Sequence, residues 1–155
     1  ITATLSAAAI SLFEGTIESL AIAAAFMTIV ASQGGNVGVQ TMTLVVRGLA
    51  LGEVNKDHAV RILGRETLIA LVNGMVLGLA AATVVYLWRG NLSLALVLAS
   101  AMVLNLIVAA ALGSLVPLTL KTLRVDPAIS SSVLVTAGTD ILGFLIFLSL
   151  LVLVI

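Results

Sequence analysis

An aspartate stands deep inside an apolar run near the end of the chain, SSVLVTAGTDILGFLIFL (residues 131–148). Far from it in sequence, QGGNVGVQ (residues 33–40) sets Gln33, Asn36 and Gln40 among three glycines, again between apolar residues. Carboxylate, amide and exposed glycine carbonyl oxygens are hard ligands, suited to Mg2+ or Ca2+ rather than to soft metals. The chain has no cysteine, so a thiolate site and a disulfide are both excluded. His58 falls in a charged connection and is assigned no metal role. QGGNVGVQ is no phosphate cradle, because no GK[ST] follows it. No nucleophile–base pair and no HExxH motif speak for an enzyme.

The elements that must position these groups are built for lipid. Sixty-one per cent of the 155 residues are hydrophobic and 9% are charged, against about a quarter charged in a soluble domain. So little charge cannot cover so much apolar side chain in water. Seven basic residues balance seven acidic ones, which gives no reason to expect a nucleic-acid partner. Five apolar stretches are visible, at residues 1–13, 17–46, 65–88, 92–120 and 128–155. The first is shorter than the ~20 residues a crossing needs, and is read as the end of a helix that starts upstream. The others are long and do not alternate, so they are predicted to be helices rather than barrel strands. The connections are short and polar: residues 51–57, 89–91 and 121–126. Asp126–Pro127 reads as a helix start, with a capping carboxylate followed by proline at the first helical position. The expected fold is all-α and polytopic, a single unit over residues 1–155.

Basic residues orient the helices. Arg47, Lys56, Arg61 and Arg65 surround one connection, and Lys121 and Arg124 lie on the next connection of that side. Arg89 is on the other side, beside Tyr86 and Trp88, which suit an interfacial belt. The positive-inside rule makes the richer side cytoplasmic and puts the C-terminus outside. Glu53, Asp57 and Glu66 are expected to offset the local positive charge. Glu14 and Glu18 are read as a solvated turn near the outer surface.

Asp140 lies about 12 residues into the last predicted helix, or ~18 Å along its axis. That is close to the midplane, where a carboxylate costs roughly 2.5–3.5 kcal/mol on insertion scales and must face protein or water. No lysine or arginine lies at matching depth to pair with it. The bland alternative is a protonated carboxyl bonded to a nearby backbone group. Unpaired midplane carboxylates more often mark a path for ions or protons. Thr136 and Gly143, about one turn to either side, extend Asp140 into a polar, open strip. The glycines have their own structural reading. Gly34 and Gly38, Gly48 and Gly52, and Gly74 and Gly78 are each four apart, the spacing that lets helices approach closely in lipid. That spacing leaves Gln33, Asn36 and Gln40 unexplained. A helix break at Gly34–Gly35 would turn carbonyls toward a wet passage.

The stretch GGNVGVQTMTLVVRGLALGEV (residues 34–54) resembles the signature of the bacterial MgtE magnesium transporters and their eukaryotic relatives, GGNxGxQ followed by a threonine-bearing run and RxLA. DPAISSSVLVTAGTDILGFLIFLSLL (residues 126–151) is similar to the family's DPA start and its final-helix acidic residue, and FEGTIE (residues 13–18) also looks familial. Two positions depart: Thr28 stands where many members have proline, and Val39 where some have asparagine. The resemblance implies a homodimer with five transmembrane helices per subunit, the first truncated here. It implies a pore on the two-fold axis, lined by the second and fifth helices, with Asp140 at the central cation site. The expected lining or neighbouring positions are Ala24, Gly34, Gly35, Asn36, Gln40, Thr43, Thr136 and Gly143. The family's cytoplasmic N and CBS domains are not in this sequence.

Two Asp140 carboxylates across an axis would give −2, which matches one divalent ion. Mg2+ would be the transported ion, with Mn2+ or Ca2+ as further candidates. A proton- or Na+-coupled carrier using Asp140 is the alternative, but such carriers often carry inverted repeats with two broken helices. A non-transporting membrane assembly subunit would leave Asp140 and the amides without a purpose.

Overall fold

A computed structural model describes residues 2–13, 21–53 and 56–154. Five helices account for nearly all of them: α1 (Thr2–Ser11), α2 (Ala21–Ala50), α3 (Lys56–Arg89), α4 (Leu92–Thr122) and α5 (Pro127–Val154). No strand occurs among the described residues. Among the described residues, three helical stretches are long and apolar enough to cross a membrane: Ala59–Arg89, Leu92–Thr122 and Ser131–Val154. α2 has 30 residues, ~45 Å at 1.5 Å per residue. It is long enough to span, but Gln33, Asn36 and Gln40 lower its hydropathy. Glu14 and Glu18 lie outside the described residues, as does the side chain of His58.

Short connections fold α2 to α5 up and down, and their ends are chemically marked. Gly52 ends α2 at φ 71°, a left-handed conformation that favours glycine. Its N–H bonds the Leu49 carbonyl and the next N–H, of Glu53, reaches back to Gly48. Gly52 is therefore a helix end, with nothing within 4 Å of where a Cβ would stand, rather than the helix–helix contact its spacing suggests. Gly90 closes α3 at φ 65°, with its N–H on the Tyr86 carbonyl. Asn91 then caps α4 by accepting the Leu94 N–H at 3.0 Å. Asp126 accepts the Ala128 N–H at 2.9 Å, which makes the Asp126–Pro127 start real. α3 begins at Lys56, nine residues ahead of the predicted start at 65. Lys56, Arg61 and Arg65 are thus in the first turns of a helix, not in a loop.

α4 is the hub. Its buried positions, among them Leu94, Leu98, Ala101, Asn105, Ala109 and Gly113, cover a broad face that meets α2, α3 and α5. α3 packs mainly on α4 and turns Leu68, Val72, Val76 and Leu79 outward. One cluster joins Phe26 and Val30 of α2, Val85 of α3, Leu98 and Met102 of α4, and Phe147 and Leu151 of α5. A smaller one joins Ala70, Leu106 and Ala110, with Val37 against it.

The expected break at Gly34–Gly35 does not occur. α2 is continuous from Ala21 to Ala50. Its glycines serve close packing instead. A Cβ on Gly38 would fall 2.8 Å from Val135 of α5, and one on Gly113 of α4 would fall 2.5 Å from the Gly38 carbonyl. Side chains at these points would push α2, α4 and α5 apart. Gly74 and Gly78 do the same for α3, against Val103 and Ala99 of α4.

Candidate functional site

On α5 two helical stripes separate the buried from the open. Ser131, Val135, Thr139, Gly143 and Phe147 recur every fourth residue and are buried. Ser132, Thr136 and Asp140 form the neighbouring stripe and are more open. The buried hydroxyls find their own helix: Ser131 donates to the Pro127 carbonyl, and Thr139 donates to Thr136 at 3.0 Å. Thr136 and Asp140 line the open space outside the bundle instead.

What lies beside them is α2. An open groove of about 450 Å3 runs between the two helices. Ala31, Ser32, Gly35, Asn36, Val39 and Gln40 form its α2 wall, and Thr136 and Asp140 its α5 wall. A second, smaller groove of about 270 Å3 along α5 shares Thr136 and Asp140, with Ser132, Val133 and Ala137. Asp140 therefore stands on a ridge between two open spaces. Asp140 lies midway along α5. The groove offers a carboxylate, two amides and two hydroxyls in an otherwise apolar surface.

Of the residues selected from sequence, the groove brings together Gly35, Asn36, Gln40, Thr136 and Asp140. Gly34 and Gly143 lie on the opposite side of the same helices, buried against Asn105 of α4. Thr43 is exposed one turn beyond Val39, to whose carbonyl it donates at 2.8 Å. Ala24 is half-buried nearer the start of α2 and lines neither groove. Ser32 joins the wall from outside the residues expected from sequence, although Ser32, Asn36 and Gln40 form an i, i+4, i+8 stripe. Asn105 is also outside that set, although one amide in LVLASAMVLNLIVAAAL (residues 96–112) is a midplane polar group of the kind that marks function.

The carboxylate stands alone. Among the described residues, no three of His, Cys, Asp and Glu gather to hold a metal ion. One Asp140 supplies one negative charge, which leaves a divalent ion half-neutralised. A larger cavity, about 650 Å3, is elsewhere, at the junction of α2 and α3. Arg47 and Arg65 line it together with Glu53 and Glu66, two charges of each sign among its described lining residues. Glu66 is only 8% exposed.

Comparison with known proteins converges on one family. Magnesium transporter MgtE of Bacillus subtilis (strain 168) is 38% identical over 143 residues, 92% of this chain and 32% of that protein. Magnesium transporter MgtE of Enterococcus faecalis is 33% identical over 145 residues, 94% of this chain and 32% of that protein. Magnesium transporter MgtE of Thermus thermophilus is 33% identical over 137 residues, 88% of this chain and 30% of that protein. The chain thus spans about a third of the length of the curated relatives it matches. A family model described as MgtE, divalent cation transporter, matches residues 27–150, and by that match the chain belongs to the MgtE family.

Proposed function

We propose that this chain forms the membrane pore of a Mg2+ transporter, in which two copies face each other across the α2–α5 groove and hold the ion between their Asp140 carboxylates. The observation that carries the reading is the groove itself. Asp140 meets the Asn36 and Gln40 face of α2 on the outside of the subunit, not in its core. A lone midplane carboxylate on the outer surface would face lipid, at a cost a second copy removes. Two copies supply −2 against +2. Mg2+ dehydrates reluctantly, and an open groove lined by amides and hydroxyls suits an ion that keeps several waters. Ca2+ and Mn2+ would then be separated from Mg2+ by size and hydration rather than by charge.

In this reading α2 to α5 cross the bilayer and α1 is the end of a further crossing, five in all. The Arg47–Arg65 end is cytoplasmic and the C-terminus lies outside, in a cell membrane. The pore is lined by α2 and α5. Its test is flux through the full-length protein in liposomes, measured with Mg2+ and with Na+, for the wild type and Asp140→Asn. A cysteine at Ala137, beside Asp140, should cross-link two subunits. Unaltered Mg2+ affinity and selectivity in folded Asp140→Asn would sink the proposal.

A further inference from the structure

Asn105 is fully buried (0% exposed) in the apolar middle of α4. A buried amide costs free energy unless its polar atoms are used. Its Nδ2 donates to the Val30 carbonyl of α2 at 2.7 Å. In a continuous helix that same carbonyl accepts the N–H of Gly34. The amide therefore packs against one turn of α2 backbone, and a Cβ on Gly34 would collide with Nδ2. On its other side is α5. A Cβ on Gly143 would fall 3.0 Å from both amide atoms. Two glycines on two helices thus open a slot for one side chain of a third. The remaining oxygen, Oδ1, has no hydrogen-bond partner.

The slot is directly behind the groove. Gly34 precedes the wall residues Gly35 and Asn36, and Gly143 follows Asp140 by three positions. We propose that Asn105 is a positioning residue: wedged between α2 and α5, it fixes their spacing and axial register, and through them the distance from Asp140 to the α2 wall. An apolar side chain would fill the slot, but it would not pin it to one carbonyl. Selection between cations of different size and hydration depends on the spacing of oxygen ligands. A misplacement of ~1 Å in an oriented site costs roughly 100-fold. This inference rests on the groove being the ion path.

Asn105→Leu keeps the approximate shape and removes the donor. In the full-length protein in liposomes, Mg2+-over-Na+ selectivity per folded molecule should fall about 10- to 100-fold. Spin labels on cysteines at Leu44 of α2 and Val133 of α5 should report a shifted or broadened distance. Gly143→Ala, which presses on the amide from α5, should give both effects and serves if Asn105→Leu fails to fold. Val85→Ala, a core truncation on α3, should lower thermal stability and leave both readouts at the wild-type value. Wild-type selectivity and distance in folded Asn105→Leu or Gly143→Ala would overturn the proposal. Asp140→Asn serves as the reference: if it leaves selectivity unaltered, the ion-path reading fails, and the label distance alone decides whether Asn105 sets the helix spacing.

Discussion

Asn36 and Asn105 are the same residue type at similar remove from the helix ends, and they have opposite surroundings. Asn36 is exposed and looks across an open groove at Asp140. Asn105 is sealed behind that groove, bonded to a backbone carbonyl and boxed by glycines. The free-energy reasoning differs accordingly. A polar group in a groove keeps its partners when water or an ion fills the space. A polar group in a dry slot must be satisfied by protein, and every neighbour must be shaped to it. Changes on the groove side of α2 should therefore cost little stability, whereas the slot should tolerate neither a change of shape nor loss of the amide donor.

The largest effect should come from the groove. Asp140→Asn removes two charges per proposed dimer while keeping the shape. At an effective dielectric of ~20, a unit charge pair 4 Å apart is worth ~4 kcal/mol. Mg2+ uptake should therefore fall on the order of 100-fold or more, with folding and yield retained because a neutral amide costs less to insert than a carboxylate. Uptake with Mg2+ and Na+, beside a thermal melt, checks both halves.

Next comes the slot. Gly34→Ala places a methyl group on the Asn105 amide, and Gly113→Ala places one 2.5 Å from the Gly38 carbonyl. Overpacking of this kind costs typically ~1–3 kcal/mol. Asn36→Ala, on the groove side of the same turn of α2, should stay within ~0.5 kcal/mol of wild type. Thermal melts of the three variants in detergent test the contrast directly. Equal destabilisation by Gly34→Ala and Asn36→Ala would erase it. The double variant Gly34→Ala/Asn105→Ala sharpens it, since removing the amide should recover part of the loss in stability.

A smaller effect is expected at the α2–α3 junction, where Glu53, Glu66, Arg47 and Arg65 line one cavity. Neutralising both acids leaves the two arginines uncompensated and should slow Mg2+ flux a few-fold. The effect should shrink as salt rises, because the Debye length falls from ~30 Å at 0.01 M to ~8 Å at 0.15 M. Flux unchanged at low salt would show that this end of the molecule is electrostatically separate from the groove.

The smallest effects belong to two helix ends. α2 ends on Gly52 at φ 71°, whereas α4 ends on Arg124 at φ 59°. Both make the same pair of returning hydrogen bonds, but only one uses a residue free of Cβ strain. Arg124→Gly should stabilise by up to ~1 kcal/mol and Gly52→Ala should destabilise by about as much. Paired melts would read the opposite signs.

By itself the sequence determined the solvent, the element type and the position of the charge. Long unalternating apolar runs with few charges can satisfy their backbones in lipid only as helices, so the helical class was legible without coordinates. The start of α5 was legible too, because a capping carboxylate followed by proline at the first helical position is a local signal. Asp140 was legible because an ionisable residue at membrane depth is costly wherever its helix packs. The facing of the glycines was decided only by the tertiary structure. GGN reads equally as a break, a pore wall or a packing surface, and only the approach of α4 splits it: Gly34 to the slot, Gly35 and Asn36 to the groove. The amide of Asn105 stands out in its apolar run, but what it holds was decided only by the tertiary structure too. Its partner carbonyl is 75 residues away along the chain, a distance no local pattern encodes.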